Sequence, residues 1–213
     1  MKERAGPIAR PGYRFILVGI AIVLLGFWAG WWLFPLGLVL TLFFIYFFRD
    51  PERSVPAAPG LVISPADGRI IALERVREEH FLKQAAQKLS IFMNVFDVHV
   101  NRAPVAGQVN AMMYQPGRYL AANRPEAPDQ NEQLAIHLRT ADGASVVMVQ
   151  IAGLLARRII SYVQEGENLD RGERVGLICF GSRVDLYLPD QCQLQVGIGQ
   201  KVKAGSSILG RWS

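Results

Sequence analysis

Residues 133–152 read Gln-Leu-Ala-Ile-His-Leu-Arg-Thr-Ala-Asp-Gly-Ala-Ser-Val-Val-Met-Val-Gln-Ile-Ala. Two short runs rich in Val, Ile and Leu, Gln133 to Thr140 and Ser145 to Ala152, flank Asp142-Gly143, a pair that favours turns. The same punctuation recurs from about residue 61 onward. Arg69 to Val76, Leu89 to Met93, Gly107 to Tyr114, Arg157 to Val163, Arg174 to Phe180, Arg183 to Leu188 and Ser207 to Leu209 are all short, with Gly, Pro, Asp or Asn in the gaps between them other than the first. This spacing predicts a mainly β domain of the barrel or sandwich kind, with helix limited to one turn around Glu79 to Gln87.

Toward the N-terminus the pattern changes. From Tyr13 to Phe48 the chain is almost purely apolar, interrupted by Arg14, Gly26, Gly30, Pro35 and Gly37. As one helix this stretch would run ~54 Å, against a hydrocarbon core of ~30 Å. Two short helices, roughly 14 to 30 and 34 to 48, fit better, with Trp28, Trp31 and Trp32 at interfacial depth. Lys2, Arg4, Arg10 and Arg14 precede the stretch and Arg49 and Arg53 follow it, so the positive-inside rule puts both ends in the cytoplasm. A cleaved signal peptide fits less well, because the stretch is too long and Asp50-Pro51-Glu52-Arg53 is no small-residue cleavage site. The expected organisation is a membrane anchor over 1–49, a linker over 50–60 with three prolines, and one globular domain over 61–213.

Composition narrows the function. The 213 residues are 51% hydrophobic and 19% charged, which excludes a disordered, collagen-like or disulfide-scaffold chain. The net charge of +5 is concentrated at the N-terminus; from residue 49 onward nineteen basic residues face seventeen acidic ones, which is no nucleic-acid footprint. Cys179 and Cys192 form no CxxC or His/Cys cluster, so no metal site is expected and a reducing compartment is the simpler reading. Neither a GxSxG elbow, a Walker loop, HExxH nor a dinucleotide fingerprint occurs.

Three phrases stand out from a plain β domain. Ser64-Pro65-Ala66-Asp67-Gly68-Arg69 is a turn whose aspartate can be held by backbone N–H groups, or simply an Asx-turn that shapes the chain. Phe96-Asp97-Val98-His99-Val100-Asn101-Arg102-Ala103-Pro104 gathers an acid, a histidine, an amide and a guanidinium directly after an apolar run. Phe180-Gly181-Ser182-Arg183-Val184-Asp185 is a Gly-Ser step between two strands, which by itself reads as a turn. Near the C-terminus, Gly172-Glu173-Arg174-Val175-Gly176 and Gly199-Gln200-Lys201-Val202-Lys203-Ala204-Gly205 look like the glycine turns of lipoyl-like hammerhead folds.

Taken together and in order, these phrases resemble the phosphatidylserine decarboxylases in their short, single-domain form. Also matching are Phe48-Arg49-Asp50-Pro51, Ile91-Phe92-Met93-Asn94-Val95 before the histidine phrase, Asn131-Glu132, Val149-Gln150-Ile151-Ala152-Gly153 with Ala156-Arg157-Arg158-Ile159, and Gly176-Leu177-Ile178-Cys179 before the Gly-Ser step. The resemblance implies self-cleavage between Gly181 and Ser182 into a β chain of 1–181 and an α chain of 182–213, with Ser182 converted to a pyruvoyl group. That group would form a Schiff base with the serine amine of phosphatidylserine, release CO2 and yield phosphatidylethanolamine, with no metal or added cofactor. Ser206-Ser207 is a poorer processing site, since Gly205 fits the last hammerhead turn and cutting there leaves little to hold the product.

The resemblance further implies that Asp67 belongs to the cleavage machinery and that His99 lies at the substrate carboxylate as proton donor, its ordinary pKa being about 6.5. The longer bacterial form has a second histidine where this chain has Arg102, and a guanidinium is no general base. Either His99 serves both steps or Arg102 stabilises charge. Arg102, Arg157 and Arg158 are the candidate headgroup contacts, with a bidentate grip on the phosphodiester or a solvated strand edge as the two readings of Arg157 and Arg158. Asn131 and Glu132 match a family phrase without an assignable chemistry. The expected setting is the inner membrane with the catalytic domain on the cytoplasmic side, working on lipid in the bilayer as a monomer or homodimer. The rival readings are a decarboxylase for another serine-headed lipid, such as archaetidylserine, and a non-enzymatic, membrane-anchored lipoyl-like binding module.

Overall fold

A computed structural model describes residues 6–124, 126–154, 158–179 and 181–212. The chain divides between Glu52 and Arg53 into two compact units.

The N-terminal unit is an antiparallel helical hairpin, α1 (Gly12–Ala29) and α2 (Leu33–Phe47), close to the spans expected. Gly30, at φ +142°, breaks the first helix, and Pro35 falls in the first turn of the second, where a missing N–H costs nothing. Gly12, Gly19 and Gly26 recur every seventh residue on the face of α1 that meets α2. A Cβ on Gly26 would lie 2.8 Å from the Phe34 nitrogen, and one on Gly37 would lie 2.5 Å from that of Val23. Such close backbone approach is how helices associate where no hydrophobic effect drives them together. The outward faces carry apolar side chains, with Leu17, Phe27, Trp28 and Trp31 all largely exposed. By length and composition α1 can cross a membrane, at a mean hydropathy of 1.9; α2 is three residues shorter.

The second unit is β throughout, apart from α3 (Ala127–Gln130). Its strands are β1 (Leu61–Ile63), β2 (Gly68–Glu78), β3 (Gln84–Met93), β4 (Val100–Arg102), β5 (Gly107–Gln115), β6 (Gln133–Arg139) and β7 (Ser145–Ala152). They continue as β8 (Ile159–Ser161), β9 (Asn168–Leu169), β10 (Arg174–Ile178), β11 (Ser182–Pro189), β12 (Gln193–Leu194), β13 (Lys201–Val202) and β14 (Ile208–Arg211). Eight of them form one antiparallel sheet, in the order β13-β2-β3-β11-β7-β6-β5-β9, which curls into a half-barrel. Two small sheets, β4-β10-β8 and β1-β14-β12, complete the unit. The segment before β1 is tied down by Arg171, which donates to the carbonyls of Pro56 (2.6 Å) and Leu61 (3.1 Å).

Alternation along the strands sets the core. Val184, Leu186 and Leu188 of β11 are fully buried beside Leu89 and Ile91 of β3 and Met148 of β7. Each such side chain contributes about 1.5–3 kcal/mol by leaving water. Arg183, Asp185 and Tyr187 point to the opposite face, where the Arg183 guanidinium grips Asp185 and Ser90 (2.8 Å).

One local expectation fails. Glu79 to Gln87 holds no helical turn, because β2 and β3 pair as a hairpin down to Glu78 opposite Gln84. The Glu78 carboxylate accepts from the backbone N–H groups of His80 (3.0 Å), Phe81 (2.8 Å) and Leu82 (2.5 Å), which fixes a loop instead. Strand pairing thus overrides a weak helical preference.

Candidate active site

In the large sheet β11 lies between β3 and β7; in the small one β10 lies between β4 and β8. Three of the connections between these two sheets run side by side: from β3 to β4, from β7 to β8, and from β10 to β11. The Gly181–Ser182 peptide is the middle crossing. Val95 to His99 lies in one flanking crossing, and Gly153 and Leu154 open the other.

Gly181 takes the left-handed conformation at φ +68°, which a side chain would resist. Ser182 opens β11, paired with Met93 on one side and Ala152 on the other, and is completely buried. Its hydroxyl donates to the thioether of Met93 at 3.2 Å, a weak acceptor that leaves the oxygen lone pairs uncommitted. His99 is also fully buried. Its Nδ1 lies 2.9 Å from the Asp97 carbonyl, which can only accept, so the proton sits on Nδ1 and Nε2 carries the lone pair. Nε2 receives the Gly181 N–H at 3.4 Å. The structure therefore brings a basic imidazole nitrogen to the Gly-Ser peptide.

Asn101 follows on the same side of the chain as His99. Its amide donates to the Met93 sulfur at 3.6 Å and accepts from Gln150 Nε2 at 2.8 Å. Gln150 is wholly buried and its Oε1 has no hydrogen-bond partner. A polar thread, Ser182 to Met93 to Asn101 to Gln150, thus runs into the core from the Gly181–Ser182 peptide. Sequence reading missed Met93 and Gln150 as site residues, although both lie inside the quoted phrases.

The remaining candidates lie elsewhere. Arg102 alternates to the other side of β4, is buried, and donates to the Gly172 carbonyl at 3.0 Å. Its backbone N–H donates to the Pro65 carbonyl, which docks the Ser64 to Asp67 turn on β4. Asp67 is held by Arg53 (2.8 and 3.0 Å) and by the Ala204 N–H (2.8 Å). Asp67 and Arg102 thus meet at the Ala204–Gly205 turn, where a Gly205 Cβ would be 2.8 Å from Arg102 Cδ. The sequence marked Arg53 only as a basic residue flanking the apolar stretch, not as the partner of Asp67. Arg158 is exposed, and its carbonyl accepts from the Cys179 N–H (3.3 Å) two residues before Gly181. Arg157 lies outside the described residues. Asn131, fully buried, acquires a place: its side chain bonds both backbone groups of Leu120 (2.8 and 2.9 Å) and the carbonyl of Ala152 (2.7 Å). Glu132 accepts from Tyr119 at 2.8 Å beside it. Among the described residues no group of three His, Cys, Asp or Glu side chains converges as a metal site would require.

Comparison with known proteins bears on this geometry. The family model described as phosphatidylserine decarboxylase matches residues 40–210. The phosphatidylserine decarboxylase proenzyme of Syntrophus aciditrophicus is 47% identical over 205 residues, 95% of this chain and 96% of its own. That of Desulfotalea psychrophila is 51% identical over 174 residues, 82% and 81% of the two chains. That of Geotalea uraniireducens is 46% identical over 211 residues, 99% of each.

Proposed function

The chain belongs to the phosphatidylserine decarboxylase family, and we propose from that premise that it is made as a proenzyme, cuts itself at Gly181–Ser182, and converts phosphatidylserine to phosphatidylethanolamine. The observation that carries the processing step is the imidazole of His99 at a left-handed glycine followed by a sealed serine. Ser182 Oγ attacks the Gly181 carbonyl carbon while His99 Nε2 takes the hydroxyl proton, and the Gly181–Ser182 C–N bond breaks to leave an ester and a free amine. Loss of the Ser182 α-proton then expels the Gly181 carboxylate and leaves dehydroalanine. Its imine tautomer takes up water and releases ammonia, so residue 182 becomes pyruvoyl.

The residues fit a group made from residue 182 itself, because Ser182 already heads a strand locked between Met93 and Ala152 and needs no added donor set. A pyruvoyl group there supplies a carbonyl that captures the lipid's amine and an electron sink for the departing CO2. His99, freed of its first proton task, is the proposed proton donor to the α-carbon. Arg158, exposed beside the crossing, is the proposed contact to the phosphodiester, with Arg157 as its neighbour. Arg102, aimed at Gly172, and Asp67, aimed at Arg53 and Ala204, hold the turns behind β4 in this reading rather than touch the lipid. The apolar hairpin is proposed as the anchor, with the β unit on the cytoplasmic side, since Arg10, Arg14 and Arg49 lie at its outer ends.

Intact mass measurement of the purified chain, beside Ser182→Ala, tests the proposal. The expected result is two chains of 181 and 32 residues, the smaller lighter than its encoded mass by one NH3, with a single uncut chain from Ser182→Ala. An uncut wild-type chain that retains its serine would leave the reading of a non-enzymatic anchored module in its place.

A further inference from the structure

Gly153 lies at the end of β7, in the crossing next to the Gly181–Ser182 peptide. A Cβ built on it would overlap the Gly181 carbonyl oxygen, lie 3.0 Å from the carbonyl carbon, and stand 3.2 Å from the Ala122 Cβ. The carbonyl to be attacked therefore rests against a backbone with no side chain, and the space such a side chain would enter is also lined by Ala122, itself buried. The segments that line this space are tied in place. Asn131 bonds Leu120, two residues before Ala122, and Ala152, one residue before Gly153, through a single amide. Ala152 is also the strand partner of Ser182.

We propose that Gly153 is a positioning residue for self-cleavage: its bare Cα, held by the Asn131 clamp with Ala122 beside the same space, seats the Gly181 carbonyl where Ser182 Oγ can reach it. The inference rests on the self-cleavage reading and goes beyond it, by naming a residue outside the Gly-Ser step that controls the rate. Gly153 is not among the glycines with positive φ, so alanine is permitted there by backbone conformation and only the space is at stake.

The test follows the full chain, synthesised cell-free into lipid nanodiscs with a radiolabelled methionine pulse, on timed denaturing gels. Gly153→Ala is expected to cut about a hundredfold more slowly than wild type, as for a reacting group misplaced by ~1 Å. Gly107→Ala is the control. Its Cβ would stand 2.6 Å from the Arg139 oxygen, a comparable intrusion far from the crossing, and it too lacks positive φ. It is expected to cut at the wild-type rate. Adding Ala122→Gly to Gly153→Ala frees room beside the added methyl group and should restore the rate about tenfold or more. A folded, protease-resistant Gly153→Ala chain cutting at the wild-type rate overturns the inference. Should Gly153→Ala fail to fold, Ala122→Val, which narrows the same space, must cut slowly; a wild-type rate from it overturns the inference equally. A wild-type chain that never cuts refutes the processing reading instead, a distinct result.

Discussion

The carboxylate of Asp67 accepts from both the Arg53 guanidinium and the Ala204 amide, with the side chains of the ion pair each only 12% exposed. A carboxylate so enclosed is tolerable only because its charge is matched and its lone pairs are used. Removing the partner leaves the charge stranded, which is costlier than never having had it. Arg53→Met should therefore lower the stability of the β unit by about 3 kcal/mol, seen as a lower Tm in detergent. Self-cleavage should continue at 25 °C, because the bonds of His99 and Ser182 run to Asp97, Gly181 and Met93 instead. Loss of cleavage without loss of Tm would instead place Arg53 in the processing chemistry. His99 makes the opposite case. Its usefulness comes from one hydrogen bond to the Asp97 carbonyl, two residues away, which fixes the tautomer before any substrate arrives.

The strand that carries the proposed α chain is the fourth of eight in the large sheet, paired along Ser182–Met93 to Pro189–Ala86 on one side and Ser182–Ala152 to Tyr187–Val147 on the other. Downstream, β13 pairs with β2, and β14 sits between β1 and β12. Residues 182–212 are thus woven into two sheets, and the strand pairing beyond Ser182 does not depend on the 181–182 bond. The cleaved protein should elute as one species in detergent on size exclusion and separate into two chains only in denaturant; elution of the 32-residue fragment alone from native protein would contradict the pairing. This weave also explains what could be read beforehand. His99, Gly181 and Ser182 sit in distinctive phrases, and most strands announced themselves by their runs of Val, Ile and Leu between turn residues. That the β3–β4, β7–β8 and β10–β11 connections run side by side depends on strand order, which brings residues 99, 153 and 181 together across more than eighty positions. No local pattern encodes that. Gly153 and Asn131 stood in matching phrases without an assignable role until the pairing supplied their neighbours.

At the scale of the whole molecule the two units have opposite surface logic. The β unit buries most of its large apolar side chains, whereas the hairpin shows many of its own: Trp28 is 92% and Trp31 84% exposed, and no charged residue occurs between Arg14 and Arg49. Such a surface is stable in hydrocarbon and costly in water. With 18 and 15 residues the helices measure ~27 and ~22 Å, near the thickness of the apolar layer, so the Gly30–Trp32 turn reaches the far interface when Arg14 and Arg49 stay at the near one. Both arginines lie over aromatic rings, Arg14 at 4.8 Å from Phe15 and Arg49 at 3.9 Å from Tyr46, an arrangement suited to a headgroup zone. The proposed orientation predicts which face of the membrane each end meets. Cys179 and Cys192 are buried, and burial pushes the Cys192 thiol up to about 11, so the native thiols stay silent toward maleimide near neutral pH. In intact cells a membrane-impermeant maleimide should then label Trp31→Cys from outside, and label Pro56→Cys only after the inner membrane is opened. The reverse pattern would invert the topology. Labelling of both positions only after opening would show a hairpin that enters the cytoplasmic leaflet and turns back before crossing, in which case the lipid would be met by a monotopic enzyme.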